Sequence, residues 1–176
     1  MAAGADVFGR RDYHAVRMDE VAAACGVGKG TLYRYFSSKR ALFLAVTFDG
    51  IEQLQADLER IAGAAEPPGS KLERLMQRLL GHFWERRVFF ALIHGGEGQD
   101  PGARQWVRRR AALASVVERV LAEGMAAGVF RSVDPRLGSE MLLGMLRGAN
   151  RHRGPDDRLE PSLALVLDVF LHGVGA

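Results

Sequence analysis

The sequence predicts an all-α protein: a three-helix N-terminal head containing a helix-turn-helix, followed by a C-terminal helical bundle. Three observations carry that prediction. Strand signals are nearly absent, with few β-branched runs, no two-residue alternation and no Asn-Gly or Asp-Gly turn between apolar segments. Apolar residues instead recur every three or four positions along most of the 176 residues. Breakers then separate those stripes: 66–70 (Glu-Pro-Pro-Gly-Ser), the glycine-rich 95–102, Asp134-Pro135, and Gly154-Pro155 through Pro161. Eight or nine helices and no sheet are expected.

In the head, Val21, Ala22 and Cys25 form the inward face of a short helix, and Gly26 supplies the left-handed residue that ends it. Val27 reads as a buried hinge residue, and Gly28 as the cap of the next helix. Leu32 and Phe36, four apart, then face inward. Two short helices joined by a tight glycine turn make a helix-turn-helix. Its second helix turns Lys29, Thr31, Tyr33, Arg34 and Tyr35 outward. Ser37-Ser38-Lys39 opens the following helix, where free amides and a lysine suit a backbone phosphate.

Behind the head, Ile51, Leu54, Leu58 and Ile61 form one stripe, and Leu72, Leu75, Met76, Leu79, Leu80 and Phe83 a second. A third runs through Trp106, Leu113, Val117, Val120, Leu121 and Met125. Ser70 and Pro135 are expected near helix starts. The last helix, around Leu163–Leu171, is apolar on nearly every face, and such a helix must be covered on both sides. The helix before it, 135–151, also has apolar residues for two surfaces, with Leu142, Leu143 and Leu146 beside Met141 and Met145. Two such helices from each of two chains would build a symmetric four-helix interface. A monomer core is the alternative.

Composition narrows the function. The chain is 48% hydrophobic and 26% charged, an ordinary globular balance. A single cysteine excludes a disulfide framework, and no apolar run approaches a membrane span. Without a secretory signal at Met1–Phe8, a cytoplasmic protein is expected. The net charge of +3 lies wholly in residues 1–48, which hold seven basic and four acidic residues; the remainder is balanced. From Gly26 to Arg40 there are four cations and no carboxylate. Such a segment is either a polyanion-binding module or a solvated positive face.

The side chains decide between them. Lysine neutralises phosphate or reaches guanine acceptors, while threonine offers a hydroxyl and a methyl. Two exposed tyrosines within three residues are unusual on an inert surface. Lys29, Thr31, Tyr33, Arg34 and Tyr35 therefore read as contacts to double-stranded DNA, with Lys39 on a phosphate and Arg17 on the flanking backbone.

The stretch GVGKGTLYRYFSSKRALFLAV, Gly26–Val46, resembles the DNA-binding signature of the TetR (tetracycline-repressor-like) family of transcriptional regulators. Upstream, VFGRRDYHAVRMDEVAAAC resembles the first two helices of the same family. The resemblance implies an Ω-shaped all-helical homodimer, joined through its two C-terminal helices, whose two heads bind a palindromic operator. It further implies a DNA-binding domain at 1–48, an effector-binding and dimerisation domain at 49–176, and a repressor released by a small molecule. Departures are visible. Family members carry at least another turn of helix ahead of Met1, a glycine where Asp12 stands, a capping Thr or Ser at Met18 and often a serine at Gly28.

Cys25 is taken as a small buried packing residue. The five histidines lack metal-ligand spacing, and the glycines of 95–98 lack the lysine of a phosphate loop, so neither metal nor cofactor is expected. Arg108-Arg109-Arg110 reads as a solvated face. Aromatic residues gather in the middle of the chain, and Phe83, Trp84, His94, Trp106 and Met145 are the candidate lining of an effector pocket. Phe89 and Phe90 belong to the same cluster. No convergent acid/base set supports an enzyme. An effector-free activator or architectural protein is the remaining rival.

Overall fold

The computed structural model describes residues 2–10, 13–85, 101–154 and 156–174. Among them are eight helices: α1 (Ala2–Arg10), α2 (Met18–Ala24), α3 (Lys29–Tyr35), α4 (Lys39–Ala62), α5 (Pro68–Glu85), α6 (Pro101–Ala126), α7 (Pro135–His152) and α8 (Leu159–Val174). No helix of the described residues is long and apolar enough to cross a membrane. Asp12, Phe89, Phe90, His94 and the glycines of 95–98 lie outside the described residues.

The chain divides into two compact units, Met1–Gln53 with Arg86–Trp106, and Leu54–Glu85 with Val107–Ala176. The division falls inside α4, between Gln53 and Leu54. In the first unit, Phe8, Val16, Met18, Val21, Ala22, Leu32, Leu42, Phe43 and Val46 form one buried cluster. Its aromatic centre is edge-to-face: Phe8 meets Phe43 at 5.4 Å and Tyr13 meets Phe43 at 5.0 Å between ring centroids. Each fully buried aromatic contributes about 1.5–3 kcal/mol by leaving water.

Two helices end in the same way. At α2, Val27 N–H donates to Ala22 O and Gly26 N–H to Ala23 O, both at 3.0 Å, with Gly26 at φ 67°. At α6, Val129 N–H donates to Gly124 O at 2.8 Å and Gly128 N–H to Met125 O at 3.1 Å, with Gly128 at φ 69°. Both are Schellman closures, in which a left-handed glycine lets the chain satisfy the last carbonyls of the helix. The sequence expectation for Gly26 holds, but two neighbours are corrected. Cys25 is exposed, and Val27 is 39% exposed rather than buried. The helix stops at Ala24, so its inward periodicity does not reach either residue.

In the second unit, Leu72, Leu75, Met76, Leu79 and Leu80 of α5 are fully buried, as are Val116, Val117 and Leu121 of α6. Lys71, itself buried, donates from Nζ to both carboxylate oxygens of Glu123 at 2.8 and 3.0 Å, tying α5 to α6. Helix α7 starts as expected: Pro135 is its first residue, and Asp134 Oδ1 accepts from the amides of Arg136 and Leu137. Helix α5 starts at Pro68, two residues before Ser70, because proline pre-sets the first helical φ and needs no amide partner. Helices α7 and α8 each carry buried and exposed apolar side chains. Leu142, Leu146, Val166 and Phe170 are buried, while Leu137, Met141, Leu165 and Val169 are exposed.

Gly124 lies where α6 meets the buried ring of Phe130. A Cβ there would stand 2.2 Å from Phe130 Cδ2, far inside van der Waals contact. Gly124→Ala is expected to lower the unfolding free energy by about 1–3 kcal/mol through overpacking, as read from urea denaturation.

Candidate nucleic-acid interface

The interface is built on α3, a seven-residue helix whose one buried side chain is Leu32. Gly28 caps its start in an extended conformation, and Leu32 N–H donates to Gly28 O at 3.1 Å. With Leu32 held in the core and Phe36 packed against it, the remaining side chains must face away. Lys29, Thr31, Tyr33, Arg34 and Tyr35 are all exposed, the two tyrosines at 45% and 69%. The Arg34 guanidinium sits 5.3 Å from the Tyr35 ring centroid. This is a flat, donor-rich surface on a rigid support, suited to phosphates and base edges.

The cations flanking α3 are engaged within the head. Lys39, at the start of α4, donates from Nζ to Val16 O at 2.9 Å and to His14 O at 3.2 Å, and lies 4.5 Å from the Tyr13 centroid. It therefore stitches the turn before α2 to α4. Ser38 caps α4, its Oγ accepting from Ala41 N–H at 3.1 Å. Arg17 is the residue at the N-cap of α2, and its N–H donates to Glu20 Oε2 at 3.0 Å. Met18 is thus not the capping residue; it is buried in the first turn. Glu20, three residues after Arg17, reaches back to the Arg17 amide, the half of a capping box that the third helical residue supplies.

Lys29 Nζ stands 2.7 Å from Asp19 Oδ1, and Arg17 Nη2 stands 3.5 Å from Asp19 Oδ2. The hydrogen bond from Lys29 holds the Asp19 carboxyl below its usual range, and Asp19 in turn raises the Lys29 ammonium. Spacing in sequence gave no sign of the Asp19–Lys29 pair or of the Lys39 contacts, since both join residues from different helices or turns.

The residues expected to line an effector pocket are placed as follows. Trp106 is buried in the first unit; Phe83, Trp84 and Met145 are half-buried in the second. Trp84 carries the Arg153 guanidinium 4.3 Å from its ring centroid. A groove of about 370 Å³ in the second unit is lined by Asp57, Arg60, Ile61, Arg74, Gln77, Arg78 and Gly81. Its walls are ion-paired: Arg78 Nε donates to Asp57 Oδ2 at 2.8 Å, and Arg60 meets the other oxygen of Asp57. Among the described residues no group of three or more His, Cys, Asp and Glu could hold a metal ion.

The Lys39 geometry gives it a structural role besides any contact to DNA. Lys39→Ala is expected to lower the stability of the protein by about 1–2 kcal/mol in chemical denaturation, because two carbonyls lose a charged donor.

Comparison with known proteins agrees with this arrangement. The family described as "Bacterial regulatory proteins, tetR family" matches residues 1–46, and "Tetracyclin repressor-like, C-terminal domain" matches residues 65–151. The chain is 46% identical over 54 residues to the HTH-type transcriptional activator FasR of Mycolicibacterium smegmatis, covering 31% of this chain and 25% of that one. It is 39% identical over 88 residues to the HTH-type transcriptional repressor KstR of the same organism, covering 45% and 43%. The matched segments therefore span less than half the length of these curated relatives. The crystal structure of the TetR family regulator PfmR from Thermus thermophilus aligns with a TM-score of 0.73 at 26% identity, over 97% of this chain and 94% of that one. The two family domains cover both the head and most of the bundle, in the expected order. This chain belongs to the TetR family, a family of transcriptional regulators rather than enzymes.

Proposed function

We propose that the protein is a DNA-binding transcriptional repressor that acts as a homodimer on a palindromic operator and is released by a small-molecule effector. One observation carries this reading: α3 buries Leu32 and turns Lys29, Thr31, Tyr33, Arg34 and Tyr35 to the outside. Such a helix enters a major groove with its side chains at base edges and phosphates. Two heads related by a dimer axis would meet half-sites about 34–36 Å apart.

The dimer reading rests on exposed apolar side chains at helical spacing. Leu137 and Met141 are 59% and 57% exposed on α7, and Leu165 and Val169 are 64% and 55% exposed on α8. Large apolar side chains recurring on one helix face are a surface that a partner covers. The effector reading is supported by Asn150 in α7, only 1% exposed, whose side-chain oxygen has no hydrogen-bond partner among the described residues. An orphaned buried acceptor costs roughly 1–3 kcal/mol, and a ligand N–H or O–H would satisfy it. Release then requires a ligand that binds the DNA-free conformation more tightly, since differential affinity alone shifts an equilibrium.

Selection of bound duplexes from a random DNA pool, followed by salt titration, tests the DNA reading. A palindrome and a steep fall of affinity with salt are expected; recovery of no enriched sequence overturns it. Tyr33→Ala is expected to weaken binding to the selected site by about 1–3 kcal/mol. For the dimer, the double variant Leu165→Glu, Val169→Glu is expected to sediment as a monomer where the unaltered protein sediments as a dimer.

A further inference from the structure

The start of α2 carries two carboxylates, and they do different work. Glu20 turns back to accept the Arg17 N–H and closes the helix end. Asp19 instead reaches across to the first residue of α3, with Lys29 Nζ at 2.7 Å and Arg17 Nη2 at 3.5 Å on its other oxygen. All three side chains are substantially exposed, Arg17 at 75%, Asp19 at 44% and Lys29 at 58%. One anion thus lies between two cations at the edge of the surface that bears Thr31, Tyr33 and Tyr35.

We propose that Asp19 is a built-in competitor for operator phosphate, holding Lys29 and Arg17 in an internal ion pair that limits the affinity of the head for DNA. This inference rests on the DNA-binding reading above. A phosphodiester oxygen offers a lysine and an arginine the same partner that the Asp19 carboxylate does, namely an anionic acceptor at hydrogen-bond distance. DNA therefore either displaces Asp19 from these cations or leaves them paired and contributing little. Either course removes part of the favourable exchange of counterions for protein cations that drives non-specific binding. The mutual stabilisation of the two charges, which lowers the Asp19 carboxyl and raises the Lys29 ammonium, agrees with this geometry.

An acidic residue in this position lowers affinity for specific and random duplexes alike. Contacts to phosphate are blind to sequence, whereas Thr31 and Tyr33 are placed to meet base edges. Weakening the former leaves a larger share of the binding free energy to the latter.

The test compares Asp19→Asn with the unaltered protein on the palindrome recovered from the pool and on a random-sequence duplex. Asparagine keeps the size of the side chain and tolerates the first turn of a helix, and circular dichroism checks that the variant folds. Asp19→Asn is expected to bind both duplexes about tenfold more tightly, with a salt dependence steeper by about 0.9 per head. Glu20→Gln removes the same charge from the same turn but keeps an acceptor for the Arg17 amide, and is expected to gain less than a third of that. In a Lys29→Met background the gain from Asp19→Asn is expected to fall by at least half.

Binding by Asp19→Asn that is unchanged or weaker overturns the proposal and makes Asp19 a residue that positions Lys29. Equal gains from Asp19→Asn and Glu20→Gln also overturn it, since a diffuse charge effect would then suffice. Failure of the unaltered protein to bind any duplex is a different result, and counts against the DNA-binding reading itself.

Discussion

The recognition surface depends on the burial of one leucine. Helix α3 has seven residues, too few to be stable alone in water. Leu32 enters the cluster formed by Val21, Ala22, Leu42, Phe43 and Val46, and the Gly26 closure sets where α3 begins. With the helix start and one side chain held, no rotational freedom remains. Tyr33 and Tyr35 are exposed because Leu32 is not. The same core is braced by the edge-to-face packing of Phe8 and Tyr13 on Phe43, so the first helix supports the third through the fourth.

Electrostatics in the head are arranged in two layers. An inner layer uses charge to fold: Lys39 satisfies two carbonyls of the turn before α2, and Glu20 satisfies the amide of Arg17. An outer layer leaves Lys29, Arg34 and the phenols around them exposed. Asp19 couples the two, because its carboxylate belongs to the first turn of α2 and its partner belongs to α3. The seven basic residues of 1–48 are therefore not all free to meet a polyanion, since Lys29 is paired with Asp19 at hydrogen-bond distance.

The second unit follows a different rule. Its interior is apolar, and polar groups enter it in pairs, as with Lys71 and Glu123, or along the groove edge, as with Asp57, Arg60 and Arg78. Asn150 departs from that rule with its buried, unpartnered oxygen. Removing a single partner from a buried polar pair costs more than the pair contributes, because the survivor is left desolvated.

Local pattern determined much of this protein. The glycine at position 26, the proline at 135, the three-and-four spacing of the core stripes and the outward set on α3 all follow from backbone preference and helical period, which act within a few residues. The sequence also marked α7 and α8 as helices with apolar side chains left over for a second surface. What it could not determine lies between elements. The sides taken by Cys25 and Val27 depend on where α2 stops, which is set by hydrogen bonds across the turn rather than by periodicity. The partners of Lys39 and Lys29 depend on α2, α3 and α4 meeting at one corner, and no spacing along the chain encodes that meeting. Only the tertiary structure brings a carboxylate at position 19 against an ammonium at position 29, because Coulomb attraction and hydrogen bonding act through space and are indifferent to sequence distance.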